Sequence, residues 1–314
     1  MDIKMSLDRL IEAIVQKQNP TVAGLDPKLS YIPEYLREQA YQQHGKNLFG
    51  AAAAILSYNK QLIDALYDVV PAIKPQCAYY EMYGWQGMKT LTETIAYAKE
   101  KGMFVITDGK RNDIGTTMEA YAAAHLGETD VEGQAFEAFG GDALTVNGYL
   151  GSDGITPVID VCNKQDKGMF VLVKTSNKSS GEIQNQELTG GDTLYYTMGM
   201  MCERWGEQLK GKYGYSGVGA VVGATYPAQL EELRECLPRT FFLVPGYGAQ
   251  GGGAKDVLPA FDKNGLGAVV NSSRGILCAW QKEGCAPEDF AQAARREAIR
   301  MRDEIMGLVG KITL

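Results

Sequence analysis

Apolar residues recur along the chain in short runs that end in polar or charged residues, with longer stretches of helical periodicity between them. Short runs rich in Val, Ile, Leu and Ala suit strands buried on both faces, as in a parallel sheet. They fall at 21–27 (T-V-A-G-L-D-P), 72–75 (A-I-K-P), 103–106, 142–147 (D-A-L-T-V-N), 169–176 (M-F-V-L-V-K-T-S), 218–225 (V-G-A-V-V-G-A-T), 241–245 (F-F-L-V-P) and 267–274 (G-A-V-V-N-S-S-R). A first helix is expected over 7–16, where Leu7, Leu10, Ile11 and Ile14 share a face. Others are expected in an Ala-rich stretch ending near Val69 and at about 84–101, 155–165, 191–211, 227–236, 255–263 and 287–309. Residues 30–46 read as a polar, Tyr-rich insertion, with His44 in a loop. Strand followed by helix, eight times, is the pattern of a TIM (β/α)8 barrel. We expect one α/β domain: a core over about 20–280, an N-terminal helix, loop insertions and the final helix.

Such a barrel carries its chemistry at the C-terminal ends of its strands. The polar residues that end the runs are Asp26, Lys74, Asp108, Lys110, Asn147, Ser176 and Arg274. They are densest within 101–119, K-G-M-F-V-I-T-D-G-K-R-N-D-I-G-T-T-M-E. Alternation along a strand points Asp108 and Lys110 to one side, with Gly109 leaving the space between them clear. Asp113 lies beyond the strand, and Thr116 with Glu119 reads as a capping box opening a helix. An Asp–Lys pair at a strand end is also a common structural ion pair, so the pair alone does not decide function.

After the seventh strand comes P-G-Y-G-A-Q-G-G-G-A, 245–254, in which Gly246, Gly248 and Gly251 match G-x-G-x-x-G. A dinucleotide fold is set aside, because the roughly sixty residues that remain hold one more strand, too few for a Rossmann sheet. The glycines suit backbone N–H groups closing around an anion, with the following helix aimed at the same point. Gln250 can add an amide donor and Arg274 a guanidinium fork. The plain alternative is a flexible glycine loop beside a surface arginine.

Composition narrows the chemistry further. At 314 residues and 45% hydrophobic, the chain can bury one large core. A net charge of −7 gives no reason to expect nucleic acid or an anionic membrane as partner. No charged, apolar and small-residue leader opens the chain, and a cytosolic (cytoplasmic) protein is expected. The two histidines, His44 and His125, read as structural or solvated, which argues against a Ser-His-Asp triad or a His-ligated metal. Cys77, Cys162, Cys202, Cys236, Cys278 and Cys285 lack C-x-x-C spacing, so reduced and mostly buried thiols are expected, without zinc.

The pattern D-x-K-x-x-D-I followed by Gly-Thr-Thr, spelled here D-G-K-R-N-D-I-G, resembles the signature of orotidine 5′-phosphate decarboxylases, in particular their longer bacterial group, type 2. Pro245, Gly246, Gln250 and Gly251 match that family's phosphate loop, and Arg274 its strand-eight arginine. Asp26 matches the ribose-binding aspartate, Lys74 the strand-two lysine, Ser176 the serine that reads the pyrimidine, and Thr117 a ribose-contacting threonine. The resemblance implies decarboxylation of orotidine 5′-monophosphate to uridine 5′-monophosphate in pyrimidine synthesis, with no metal or organic cofactor. It implies Lys110, Asp108, Lys74 and Asp113 as the catalytic array. It also implies a homodimer in which Asp113 and Ile114 reach the neighbouring subunit's site.

Three rival readings fit the same residues. A sugar-phosphate decarboxylase or aldolase of the same superfamily would share D-x-K-x-x-D and hold magnesium. Lys174, in V-L-V-K-T-S-N, resembles a class I aldolase lysine and, two residues before Ser176, is expected to face the same way. A nucleotide-binding barrel without activity is the third.

Overall fold

A computed structural model describes residues 6–248 and 251–314. Eight strands, β1 (Thr21–Leu25), β2 (Ala72–Pro75), β3 (Phe104–Arg111), β4 (Ala143–Val146), β5 (Gly168–Lys174), β6 (Val218–Val222), β7 (Phe242–Val244) and β8 (Ala268–Ser272), close into a parallel barrel. Each pairs with its neighbour in sequence, and β8 returns to β1 through Thr21 opposite Val270 and Val22 opposite Asn271. This is the TIM (β/α)8 architecture expected from the eight apolar runs, and it removes the Rossmann reading of the glycine motif.

The strands have two apolar faces because both are covered. Phe104 and Ile106 of β3 join Val22, Phe170 and Val269 inside the barrel, while Val105 packs outward on Leu91 and Ile95 of helix Gly84–Glu100. Helix Ser6–Lys17 adds Leu7, Leu10, Ile11 and Ile14 to the interior cluster, all buried. The first helix therefore packs against the lower barrel, and the large cavity lies at the other end. Each such side chain contributes about 2 kcal/mol by leaving water; Leu10→Ala would cost about 3 kcal/mol once the cavity it leaves is included.

Several local expectations are corrected. The insertion at 30–46 contains a helix, Glu34–His44, so His44 ends a helix and does not lie in a loop. Only Leu36 and Ala40 are buried on it, four residues apart, so the rest of its sequence reads polar. The stretch expected as a helix to 263 stops at Val257 and tightens into a 3-10 turn over Leu258–Ala260, where Pro259 lacks an amide hydrogen. Helix Gly115–His125 begins after Ile114 with no side-chain cap, so Thr116 makes no capping box. Its hydroxyl lies within the first turn; outside the helix, Asp113 Oδ1 accepts the Ile114 N–H at 2.8 Å. A hairpin of Thr129–Val131 and Gln134–Phe136 follows that helix, unforeseen in the sequence. All six cysteines are free thiols, three of them buried. Among the described residues no helix is long and apolar enough to cross a membrane.

Candidate active site

A cavity of about 740 Å³ opens at the C-terminal ends of the strands. Asp26, Lys74, Asp108, Lys110, Ser176, Pro245, Gly246 and Arg274 all line it, although they come from six strand ends spread over most of the chain. Barrel closure brings them together, as strand-end position alone implies.

At its centre is a charge cluster, buried at Lys74 and Asp108 and open to the cavity at Lys110. Lys74 Nζ donates to Asp108 Oδ2 at 2.5 Å, and Lys110 Nζ donates to Asp108 Oδ1 at 2.6 Å. Asp108 and Lys74 are 6% and 4% exposed, so neither charge can be neutralised by water alone. Burial by itself would push the Asp108 carboxyl up, but the Lys74 and Lys110 ammonium groups override it and hold the carboxyl well below its usual range. Burial likewise pulls Lys74 down, and the negative charges of Asp108 and Asp26 overcome it and raise its pKa. The cluster is thus two fixed cations around one fixed anion. Asp26 Oδ1 is buried without a hydrogen-bond partner among the described residues, an acceptor aimed at no protein donor.

The local backbone explains how Lys110 reaches this position. Pairing of β3 with β4 slips between Thr107 and Arg111, and Lys110 adopts a left-handed φ of 48°, costly for a residue with a side chain. Thr145 of β4 secures the slip: its hydroxyl accepts the Lys110 backbone N–H at 3.0 Å and donates to Asp108 Oδ1 at 2.8 Å. Thr145 was missed in the sequence. A lone Thr in an apolar strand is unremarkable, yet alternation from Asn147 was a usable signal. Asn147 itself stays out of the cavity and caps the next turn, accepting from Tyr149 N at 3.0 Å.

The glycine loop differs in part from expectation. Gly246, Gly248 and Gly251 have φ of 102°, 71° and 100°, so these turns require glycine. Gly246 lines the cavity, but the Gly248, Gly251 and Gly252 N–H groups donate to carbonyls within the loop, and Gly251 is not part of the cavity wall. The next helix, Ala254–Val257, is one turn long and Asp256 Oδ2 accepts from Gly253 N at 2.7 Å, so it does not aim a helix dipole at an anion. Gln250 lies outside the described residues.

Other expected residues are elsewhere. Asp113, Ile114 and Thr117 do not line the chain's own cavity; Ile114 is 52% exposed. Lys174 is corrected: β5 slips against β6 between Leu172 and Lys174, so Leu172 lines the cavity while Lys174 is fully buried outside it. It donates to Ser180 Oγ at 3.0 Å and Asn185 Oδ1 at 2.8 Å. A Schiff-base lysine must meet a substrate carbonyl, and this one faces protein.

Residues 52–286 match the model of the Orotidine 5′-phosphate decarboxylase / HUMPS family. The chain belongs to the orotidine 5′-phosphate decarboxylase family. An orotidine 5′-phosphate decarboxylase of Rhodopirellula baltica is 42% identical over 303 residues, covering 95% of this chain and 98% of that protein. One from Clostridium tetani is 41% identical over 302 residues, covering 96% and 98%. The solved structure of Leishmania donovani OMP decarboxylase superposes with a TM-score of 0.70 at 30% identity, covering 95% of this chain and 98% of that one.

Proposed function

We propose that this chain converts orotidine 5′-monophosphate to uridine 5′-monophosphate, with Lys110 as the group that stabilises and then protonates the carbon left behind. The observation that carries this reading is the Lys74–Asp108–Lys110 cluster, in which a buried ion pair holds the exposed Lys110 ammonium in a cavity that Arg274 also lines. When the C6–carboxylate bond breaks, its electron pair stays on C6 and carbon dioxide leaves. The Lys110 ammonium faces that pair, donates a proton to C6, and recovers one from solvent. Asp26 with its unpaired oxygen is suited to a ribose hydroxyl. Ser176 is suited to the pyrimidine edge, and Gly246 with Arg274 to phosphate, joined by Pro245 and Gln250 of the loop.

Magnitudes divide the work. Asp108 and a substrate carboxylate about 4 Å apart repel by only about 4 kcal/mol at an effective dielectric near 20. A large enzymatic acceleration asks for on the order of 20 kcal/mol. Repulsion is therefore secondary. The main contributions come from Lys110 already in place and from phosphate binding energy used to hold the array.

The working form is a homodimer with composite sites, in which Asp113, Ile114 and Thr117 face the neighbouring subunit's cavity. Their place outside their own cavity, with a large apolar side chain exposed at Ile114, supports this. The experiment is loss of orotidylate absorbance with purified protein after exhaustive chelation. Full activity is expected; activity that disappears and returns only with magnesium would favour the sugar-phosphate reaction instead.

A further inference from the structure

Lys174 is a cation buried to 0% exposure, and among the described residues it meets neutral groups: Ser180 Oγ, Asn185 Oδ1, and the faces of Tyr226 at 4.3 Å and Tyr195 at 5.7 Å. Burying an ammonium among neutral groups is costly unless its donors are satisfied. Here all the satisfying groups come from chain beyond β5: the long segment 177–193, Tyr195 just after it, and Tyr226 after β6. Lys174 therefore organises that segment about itself.

The segment in turn grips the two residues that follow Lys174. Gln184, next to Asn185, pairs with Thr175 at two points: its Oε1 accepts the Thr175 N–H at 2.9 Å and its Nε2 donates to Thr175 Oγ1 at 2.8 Å. Thr175 Oγ1 contacts Asn177 Oδ1 at 2.6 Å, and Tyr226 donates to the Asn177 carbonyl at 3.2 Å. Thr225 donates to the Ser176 carbonyl at 3.1 Å. On the other side, Gly223 lies so close that a Cβ there would sit 2.8 Å from the Ser176 backbone. Ser176 is held from both sides, and Thr175, Ser176, Asn177 and Gln184 all line the cavity.

We propose that Lys174 is a positioning residue for base recognition: it anchors residues 177–193 so that Gln184 clamps Thr175 and fixes Ser176 against the pyrimidine. This rests on the reading that Ser176 faces the base. It gives the long segment after β5 a role in substrate selection, and it explains a buried lysine beside the cavity that takes no part in the chemistry.

The test separates the two halves of the nucleotide. Binding of uridine 5′-monophosphate and of ribose 5-phosphate is measured for wild type, Lys174→Met, Lys174→Arg and Gln184→Ala, with thermal unfolding alongside. Lys174→Met and Gln184→Ala should weaken uridine 5′-monophosphate about tenfold, one buried hydrogen-bonding group's worth, and leave ribose 5-phosphate unchanged. Lys174→Arg should restore part of the loss. Equal weakening of both ligands, or no weakening of either in Gln184→Ala, would overturn the inference. If the wild type itself binds uridine 5′-monophosphate no better than ribose 5-phosphate, the underlying reading of the cavity fails with it.

Discussion

Lys110 Nζ lies 2.6 Å from Asp108 Oδ1, two residues earlier on the same strand. The contact is made from a left-handed backbone position, where strand pairing slips and Thr145 bonds both the Lys110 amide and the Asp108 carboxylate. The ammonium is thus fixed by backbone geometry as well as by charge.

Lys74 shares that carboxylate from the other side at 2.5 Å, in a buried setting. Lys74→Ala leaves Asp108 short of one cation and should lower unfolding free energy by about 3 kcal/mol. Urea denaturation checks this. Asp108 is held low in the fold, so its contribution to stability is present above its unfolded value near 3.9 and lost only as pH falls below it. The variant should therefore lose stability at neutral pH and show a shallower fall below about pH 4.

Arg274 at the cavity rim touches no reacting atom in the proposed reaction. Arg274→Ala and Gln250→Ala should nonetheless lower kcat/KM for orotidine 5′-monophosphate, the first by on the order of a hundredfold, because phosphate binding energy is spent on the transition state. Orotidine lacking the phosphate should react equally with wild type and Arg274→Ala. Wild-type kinetics with the full substrate would count against the phosphate assignment.

Composite sites have an arithmetic signature. Mixed and re-annealed Lys110→Ala and Asp113→Ala chains should recover activity near about a quarter of wild type, because half of the dimers are hybrids with one intact site of two. If Asp113 served its own subunit's cavity, every site would carry a defect and no recovery would occur.

His125 is buried against Phe139, ring centroids 4.9 Å apart, with Nδ1 unpaired. Burial, helped by the charge of Arg111, pushes its pKa down to about 4. The unfolded chain takes up a proton near 6.5 and the fold does not, so stability is complete above that pH and falls between about 6.5 and 4. The loss attributable to this group is about 3 kcal/mol, and His125→Phe should flatten the fall over that window in a pH series of urea midpoints.

Much of this was legible before any coordinates. The eight strand ends are visible because each apolar run stops at a polar residue, and Asp26, Lys74, Asp108, Lys110 and Arg274 all reach the cavity. What failed did so where side-chain period alone was trusted. Lys174 was expected beside Ser176, but a slip in strand register turns it away. Helix Glu34–His44 was hidden because only Leu36 and Ala40 of it are buried. The helix expected to point at the phosphate is a single turn, cut short before Pro259. The sequence pattern marks glycines in the loop but not that most of their N–H groups bond within it.

The most direct measurement is turnover of orotidine 5′-monophosphate by Lys110→Ala at saturating substrate, with uridine 5′-monophosphate affinity determined on the same preparation. Loss of both the acid and the cation facing C6 should reduce the rate by about ten-thousandfold or more, while the product still binds within about tenfold of wild type. A rate within tenfold of wild type would contradict the role given to this ammonium group.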